Sequence, residues 1–392
     1  MRRISGTVQH YAWGSPTAIP TLLGVPPTGE PVAEYWLGAH PSAPSLVDGT
    51  RLDTLFDREP ELLGDACLSK YGSRLPYLMK LLAAAQPLSL QAHPTRAQAE
   101  EGFAREQEAG IAIDAFERTY KDDWPKPEAL IALTEFHGLC GFRDPVRTAE
   151  LFEAIGAPVE SVTGPLLQRR GPAALAQVFL DVLSLDESRL HLVSQVVDAA
   201  ARHAHADGEV GDFARTALRL DRHFPGDKGI LAALLMNSFT LRPGDGLYLP
   251  PGNMHAYLDG FGVEVMANSD NVLRGGLTSK HIDVEALLTV VDFRPSAVTP
   301  VATDDLGSGV RRFVTAAEEF VLWSIDLAAE PAVLPGGGAR ILLVTEGGAT
   351  AVGPAEEVPL RQGEAVLVPD ATRVTVTGTG RAFLAGPGCG RP

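Results

Sequence analysis

The stretch Gly244 to His255, GDGLYLPPGNMH, constrains the fold more than any other part of the chain. Gly244-Asp245-Gly246 is turn chemistry, since glycine supplies positive φ and aspartate bonds its own backbone. Leu247-Tyr248-Leu249 is a short apolar run of strand type. Pro250, Pro251 and Gly252 then stop and bend the strand. His255 is thereby delivered to a fixed place, at the end of a rigid strand and just past a tight turn. Metal ligands need such rigidity. A β-turn followed by a surface histidine has the same pattern, so the motif needs partners elsewhere. The spacing of glycine, five residues and proline recurs at Gly363 to Pro369, and the position equivalent to His255 is then Val374. The chain is expected to use this shape twice and to keep the histidine once.

Other stretches offer those partners. Pro87 to Pro94, PLSLQAHP, alternates strictly: Leu88, Leu90 and Ala92 face one side, and Ser89, Gln91 and His93 the other. In a half-exposed sheet the polar side meets water; in a barrel it meets the lumen. Tyr77 to Leu82 is an apolar strand carrying Lys80, which sits on an edge or faces a polar pocket. In Tyr120 to Glu128, YKDDWPKPE, Pro125 and Pro127 hold Lys126 extended. Glu128 then enters the buried strand Ala129 to Leu133, although charge alone reads Lys126 and Glu128 as a solvated pair. Phe261 to Ala267 alternates again, with Glu264 opposite the valines, and leads through Asn268-Ser269-Asp270-Asn271 into VLRGGLTSK, which holds Arg274 and Lys280. His10 and His40, beside aromatics, are expected to be hydrogen-bonded structural histidines.

The order of these patterns divides the chain. Residues 1–145 and 230–295 read as two parts of one β unit. Residues 146–229 show helical spacing of Leu, Val and Ala, punctuated by Gly and Pro, with Val146 to Ile155, Pro172 to Leu183 and Leu190 to His205 as helices. Thr95 to Ala109 and Ile282 to Val291 are further helices. Residues 296–310 read as a linker and 311–392 as a second β unit, with Gly347-Gly348 as a hairpin turn. The fold class these patterns give is mainly β with an α-helical insertion, and the resemblance of Gly244 to His255 to a cupin signature motif implies cupin or jelly-roll barrels.

Bulk composition narrows the function. A net charge of -16 argues against a nucleic-acid or anionic-membrane surface. The 3 cysteines, Cys67, Cys140 and Cys389, form no Cys-x-x-Cys, which argues against a disulfide framework and for a reducing compartment. The N-terminus has two arginines but no apolar core behind them, and no apolar run nears the roughly 20 residues of a membrane span. A soluble, cytoplasmic protein is expected.

Four ligand-type residues can be assembled. Gln91 and His93 share a strand face, Glu128 stands at the edge of the next strand, and His255 closes the set. Two imidazoles, a carboxylate and an amide oxygen suit Zn²⁺ with an open position for water or substrate. Gly244 to His255 resembles the second signature motif of the cupin barrels, with Asp259 departing from the usual asparagine. QAHP, KPEALIALTEFHGLCGFRD, YLPPGNMHAYLDG and VEVMANSDNVLRGGLTSKHIDV resemble the type I mannose-6-phosphate isomerases of the cupin superfamily, as do QHYAWGS and EYWLGAHPSAPS near the start. The match runs from about residue 7 to about residue 292.

The resemblance implies one zinc ion on Gln91, His93, Glu128 and His255, and Arg274 as catalytic arginine. It implies Ser89, Lys126 and Lys280 near the sugar phosphate or the reacting oxygens, with Lys80, Glu264 and Asp270 lining the pocket. Where the family often has a histidine, immediately before Lys126, this chain has Pro125. His137 and His281 are expected to be structural. The implied reaction interconverts mannose 6-phosphate and fructose 6-phosphate by moving a proton between C2 and C1, in mannose metabolism, by a monomer. Glu264, Lys126 and a metal-bound hydroxide are all chemically able to be the base. A non-catalytic sugar-binding cupin and another metal cupin enzyme are the rival readings.

Overall fold

A computed structural model describes residues 1–158, 160–169, 171–328 and 330–389. Period-two alternation decides how its strands are used. The strand Tyr77–Ala84 is buried throughout. Its odd set, Tyr77, Met79, Leu81 and Ala83, joins a core shared with Phe320, Leu322, Ile341 and Phe383 of the C-terminal unit. On its even set, Leu78 packs with Trp36 and Met266, and Lys80 and Leu82 line a cavity. The strand His255–Ala267 divides the same way, with Val263 and Val265 in the shared core and Glu264 and Met266 on the cavity. A sheet buried on both faces lets one lysine and one glutamate point inward from runs that are otherwise apolar.

That strand is the spine of a ten-stranded sheet. Its second half lies between Tyr77–Ala84 and Glu128–Ala132, with Glu264 opposite Lys80 and Met266 opposite Glu128. Its first residues pair instead with Phe136–Phe142 and with Gln91 of the strand Leu90–Ala92. It therefore passes between the two faces of a jelly roll. The crossing is at Gly260, where φ is +134° and a Cβ would stand 2.8 Å from Phe136 Cα. His255 opens this strand rather than closing the preceding one, Gly246–Leu249.

The helices Pro145–Ala154, Glu160–Gln168, Pro172–Leu183, His191–Ala201, Gly208–His223 and Gly229–Ala233 form the insertion. The last of the three expected there stops short, at Ala201 rather than His205. Their apolar faces share one core with Leu90, Ala92, Leu139 and Leu273 of the sheet. The apolar side of PLSLQAHP thus packs on helices. Arg96–Glu108 is capped as its sequence predicts, with Thr95 and Gln98 forming a reciprocal capping box.

The nine-stranded C-terminal sheet repeats the turn of the first unit. Gly363 has φ +83° and Gly244 φ +93°. Ala365–Val368 follows the one and Gly246–Leu249 the other, and a 13-residue strand comes next in each case, Thr375–Pro387 and His255–Ala267. Three local expectations are corrected. Gly347-Gly348 is not a hairpin turn: Arg340–Val352 runs straight through it, paired on both sides, with a bulge between Val344 and Glu346. Gly347, at φ +73°, is needed because a Cβ there would collide with the Thr379 carbonyl. The expected linker contains the strand Thr303–Asp305, which pairs with Val310–Phe313. Arg2–Ile4 leaves the first unit to pair with Ala365–Val368. Among the described residues no helix is long and apolar enough to cross a membrane.

Candidate metal centre and active site

Backbone pairing assembles the centre from three distant segments. His255 and Arg274 both lie opposite Gln91, and Glu128 begins the strand alongside. The turn before His255 is tied to the other histidine, because Gly252 N–H donates to the His93 carbonyl at 2.8 Å. His93 Nε2 stands 3.3 Å from Glu128 Oε1, and His255 Nε2 3.3 Å from Glu128 Oε2. Each Nδ1 is hydrogen-bonded to a backbone carbonyl, His93 to Asn271 at 2.8 Å and His255 to Asn253 at 3.0 Å. That fixes the tautomers so that both Nε2 atoms present lone pairs inward.

All three side chains are buried, and neither Nε2 has a hydrogen-bond partner. A buried polar atom left so costs about 1–3 kcal/mol. One ligand atom from each of the three residues lies within 4.8 Å of the others. Two imidazole nitrogens and a carboxylate are donors suited to zinc, and a cation between them removes the deficit. Gln91, half-buried, lines the cavity beside them. Burial pushes the His93 imidazole down to about 4, so it is neutral, as a ligand must be. Burial also opposes ionisation of Glu128, but the neighbouring His93 and His255 imidazoles and Lys126 hold its carboxyl well below the usual range. Lys126 Nζ is 3.3 Å from Glu128 Oε1, so the pair read as a solvated loop from charge alone is buried here.

The centre borders a cavity of about 610 Å³, well sized for a sugar phosphate. One wall is a buried chain of polar groups. Lys80 Nζ lies 3.0 Å from Glu264 Oε2 and 3.5 Å from Glu34 Oε1, Tyr257 Oη donates to Glu264 Oε1 at 3.0 Å, and Trp36 Nε1 donates to Glu34 at 2.6 Å. Burial pushes the Glu264 carboxyl up against the opposing pull of Lys80. The Lys80 ammonium is raised: burial works against it, and Glu264 and Glu34 outweigh burial. Of the two places open to this lysine, it takes the polar pocket.

Another part of the lining is cationic. Arg274, Lys280 and Lys121 form it, and among the described residues no carboxylate pairs with any of them. Burial lowers Arg274; burial, then the charges of Arg274 and Lys121, lower Lys280. Ser89 and Asp270 also line the cavity. Asp270 meets His40 at 3.4 Å, and His40 and Trp36 are themselves lining residues. His137 lies apart, bonded to Asp259 at 2.9 Å. His281 faces a smaller neighbouring chamber.

Sequence reasoning missed Lys121, Glu34, Tyr257, Tyr11 and Trp13, all of which line the cavity. It also missed Asn271, whose buried amide holds the 121–124 loop. The Lys121 and Asp122 N–H groups donate to its oxygen at 2.7 and 3.2 Å, and its nitrogen donates to the carbonyls of Asp122 and Trp124 at 2.7 and 2.9 Å. An asparagine followed by no glycine, within a dense polar turn, was the available signal.

Comparison with known proteins agrees with this geometry. Residues 1–145 match the family described as phosphomannose isomerase type I, catalytic domain. Mannose-6-phosphate isomerase of Salmonella typhimurium is 36% identical, over 97% of this chain and 98% of that one. Mannose-6-phosphate isomerase 1 of Arabidopsis thaliana is 30% identical over 95% and 90%. A solved structure of mannose 6-phosphate isomerase bound with zinc and yttrium matches at TM-score 0.90 and 35% identity, over 99% of each chain. Identity of this extent, spread over both β units and the helices between them, makes this chain a member of the type I phosphomannose isomerases.

Proposed function

We propose that this chain is a zinc-dependent aldose-ketose isomerase that interconverts mannose 6-phosphate and fructose 6-phosphate. The observation that carries the reading is the pair of buried, unpartnered imidazole Nε2 atoms on Glu128, beside a cavity whose lining also holds three cations that no carboxylate pairs with among the described residues. The first group takes a metal and the cations take a phosphate.

His93, Glu128, His255 and the Gln91 amide oxygen hold the ion. Zinc there supplies Lewis-acid polarisation of the sugar oxygens at C1 and C2. Lys280 and Lys121, with Ser89, hold the phosphate dianion. Arg274 lies directly opposite Gln91, so its charge is near the metal end. We assign it to the negative charge that develops on the enediolate, a role typically worth about 3–4 kcal/mol. Glu264 is the base, taking the proton from C2 and returning it to C1. Its burial makes it a stronger base than an exposed carboxylate, and Lys80 and Tyr257 fix its orientation. Asp270 and Lys126 complete the lining. Pro125, buried beside Lys126, offers no proton donor, so proton movement does not need a side chain at that position.

On this reading residues 1–145 and 230–295 carry the chemistry, 146–229 the helical support, 296–310 the connection and 311–392 the second β unit. The cavity is lined from one chain, which accords with a working monomer, and three free cysteines accord with the cytoplasm. A coupled assay with mannose 6-phosphate tests the proposal. Turnover should vanish on chelation and return with zinc; a folded, zinc-loaded protein without turnover would end it.

A further inference from the structure

A second cavity, of about 220 Å³, adjoins the cationic part of the lining. Lys121, Arg274 and Lys280 line both cavities, so the two share a wall of positive charge. The smaller chamber adds Arg118, Thr119 and His281. Arg118 is buried at 5% exposure. Its Nε meets Glu106 at 2.8 Å and the Tyr120 carbonyl at 2.5 Å, and its Nη1 donates to Gln107 at 3.1 Å and the Ile111 carbonyl at 2.6 Å. Its Nη2 has no partner.

The charge balance of this chamber is positive. Glu106 offsets Arg118. Among the described residues Asp283 is the one carboxylate lining the chamber; it caps a helix, accepting from Ala286 N–H at 2.9 Å, and offsets one of the positive charges. Among the described residues no carboxylate ion-pairs with the three shared cations, although Asp270 of the larger cavity feels the charge of Lys121. A phosphomonoester brings about 1.5 to 2 negative charges at neutral pH, and one held by the shared cations leaves Arg118 Nη2 without a partner. The chamber has room for a phosphoryl group with a few waters, at roughly 30 Å³ of liquid volume per water.

We propose that this chamber is a second phosphoryl subsite, so that compact anions with two phosphoryl groups bridge the cationic wall and compete with the sugar phosphate. The proposal rests on the reading that the substrate's own phosphate meets Lys280 and Lys121 in the larger cavity. Inorganic phosphate occupies one subsite; pyrophosphate spans both.

The test is inhibition of the zinc-loaded enzyme by phosphate and by pyrophosphate, with zinc content followed in parallel. Pyrophosphate should compete with an inhibition constant at least about tenfold below that of phosphate, the gain of one added charge-assisted contact. In His281→Ala and in Arg118→Lys that ratio should fall below about threefold, while KM for mannose 6-phosphate stays within about twofold. His281→Ala decides alone if Arg118→Lys does not fold. Equal constants for the two anions, or a ratio unchanged in His281→Ala, overturn the second subsite while turnover stands. Absence of turnover in the unmodified enzyme overturns the isomerase reading instead. Inhibition that tracks zinc loss equally in all forms is metal extraction and also overturns the subsite.

Discussion

Asn271→Asp is the most informative perturbation of the site. The substitution changes no volume, so no cavity confuses its effect. The retained oxygen still accepts from the Lys121 and Asp122 N–H groups. The amide nitrogen becomes an oxygen, and its contacts with Asp122 O at 2.7 Å, Trp124 O at 2.9 Å and Asp122 Oδ1 at 3.2 Å turn from attractive to repulsive. Each buried acceptor left unpaired costs about 1–3 kcal/mol. With two carbonyls affected and Asp122 half open to water, a loss of about 3–4 kcal/mol is expected. The backbone carbonyl of Asn271 also receives His93 Nδ1, so zinc affinity should fall about 10–100-fold. The sign of the pH dependence follows. Among carbonyls and beside the Asp122 carboxylate, the introduced carboxyl has a raised folded-state pKa. Protonated, it donates again. The deficit is therefore full at high pH and shrinks as pH falls through that raised value. Urea unfolding at two pH values and zinc competition with a chromogenic chelator measure both effects. A variant within about 1 kcal/mol of the parent at neutral pH, or a deficit that stays constant on acidification, refutes the reasoning.

Lys80→Met removes the charge that holds the Glu264 carboxyl down against its burial; the acid limb of kcat/KM against pH should move to higher pH, because the base must be ionised to act. Gly252→Ala forces alanine to φ +83° with its Cβ 3.1 Å from the Val290 carbonyl; about 1–2 kcal/mol of stability should be lost, with weaker zinc binding, since the same residue's N–H holds His93. Arg274→Ala should lower kcat about 10²–10³-fold with zinc content unchanged, and metal loss would show that its role is structural. Removing zinc present at 100 times its Kd should withdraw about 2.7 kcal/mol of stability, visible as a lower thermal midpoint that Glu128→Gln reproduces without chelator.

What was legible in the sequence is what short-range rules determine. Alternation in PLSLQAHP puts Gln91 and His93 on one face, and the turn at Gly252 delivers His255, because strands have period two and glycine takes positive φ. The same rules fail where pairing is remote. Lys80 meets Glu264 across 184 residues of sequence, and no local pattern distinguishes that wall from an edge strand. Lys121 stands among aspartates and reads as solvated until Asn271 is seen to pin its backbone. Gly347-Gly348 has hairpin chemistry locally, yet a neighbour on each side keeps the strand extended, and tertiary pairing overrides turn preference. Asp259, the departure from the cupin pattern, leaves the metal alone and bridges His137 and Arg219 at the surface.

The two β units show why the shared turn does not by itself make a site. Around Gly363 the same backbone shape leads to Val374, fully buried among Ile325, Leu342, Val344, Val366 and Val376. That interior is filled with aliphatic side chains, so a histidine there would gain no partners and no solvent path. Around Gly244 the interior is kept open by charge, because Lys80, Glu264 and Glu34 satisfy one another rather than pack and the metal residues leave two imidazole Nε2 atoms unpartnered. Such an interior contributes less hydrophobic burial than a filled one, and the deficit has to be met elsewhere. The C-terminal unit meets it: Tyr77, Met79, Val263 and Val265 pack against Phe320, Ile341 and Phe383, and Tyr77 Oη donates to Ala339 and Ala385 carbonyls at 3.0 and 3.1 Å. The second unit thus acts on the chemistry from behind, by fixing the apolar faces of the two strands whose other faces present Lys80 and Glu264 to the cavity.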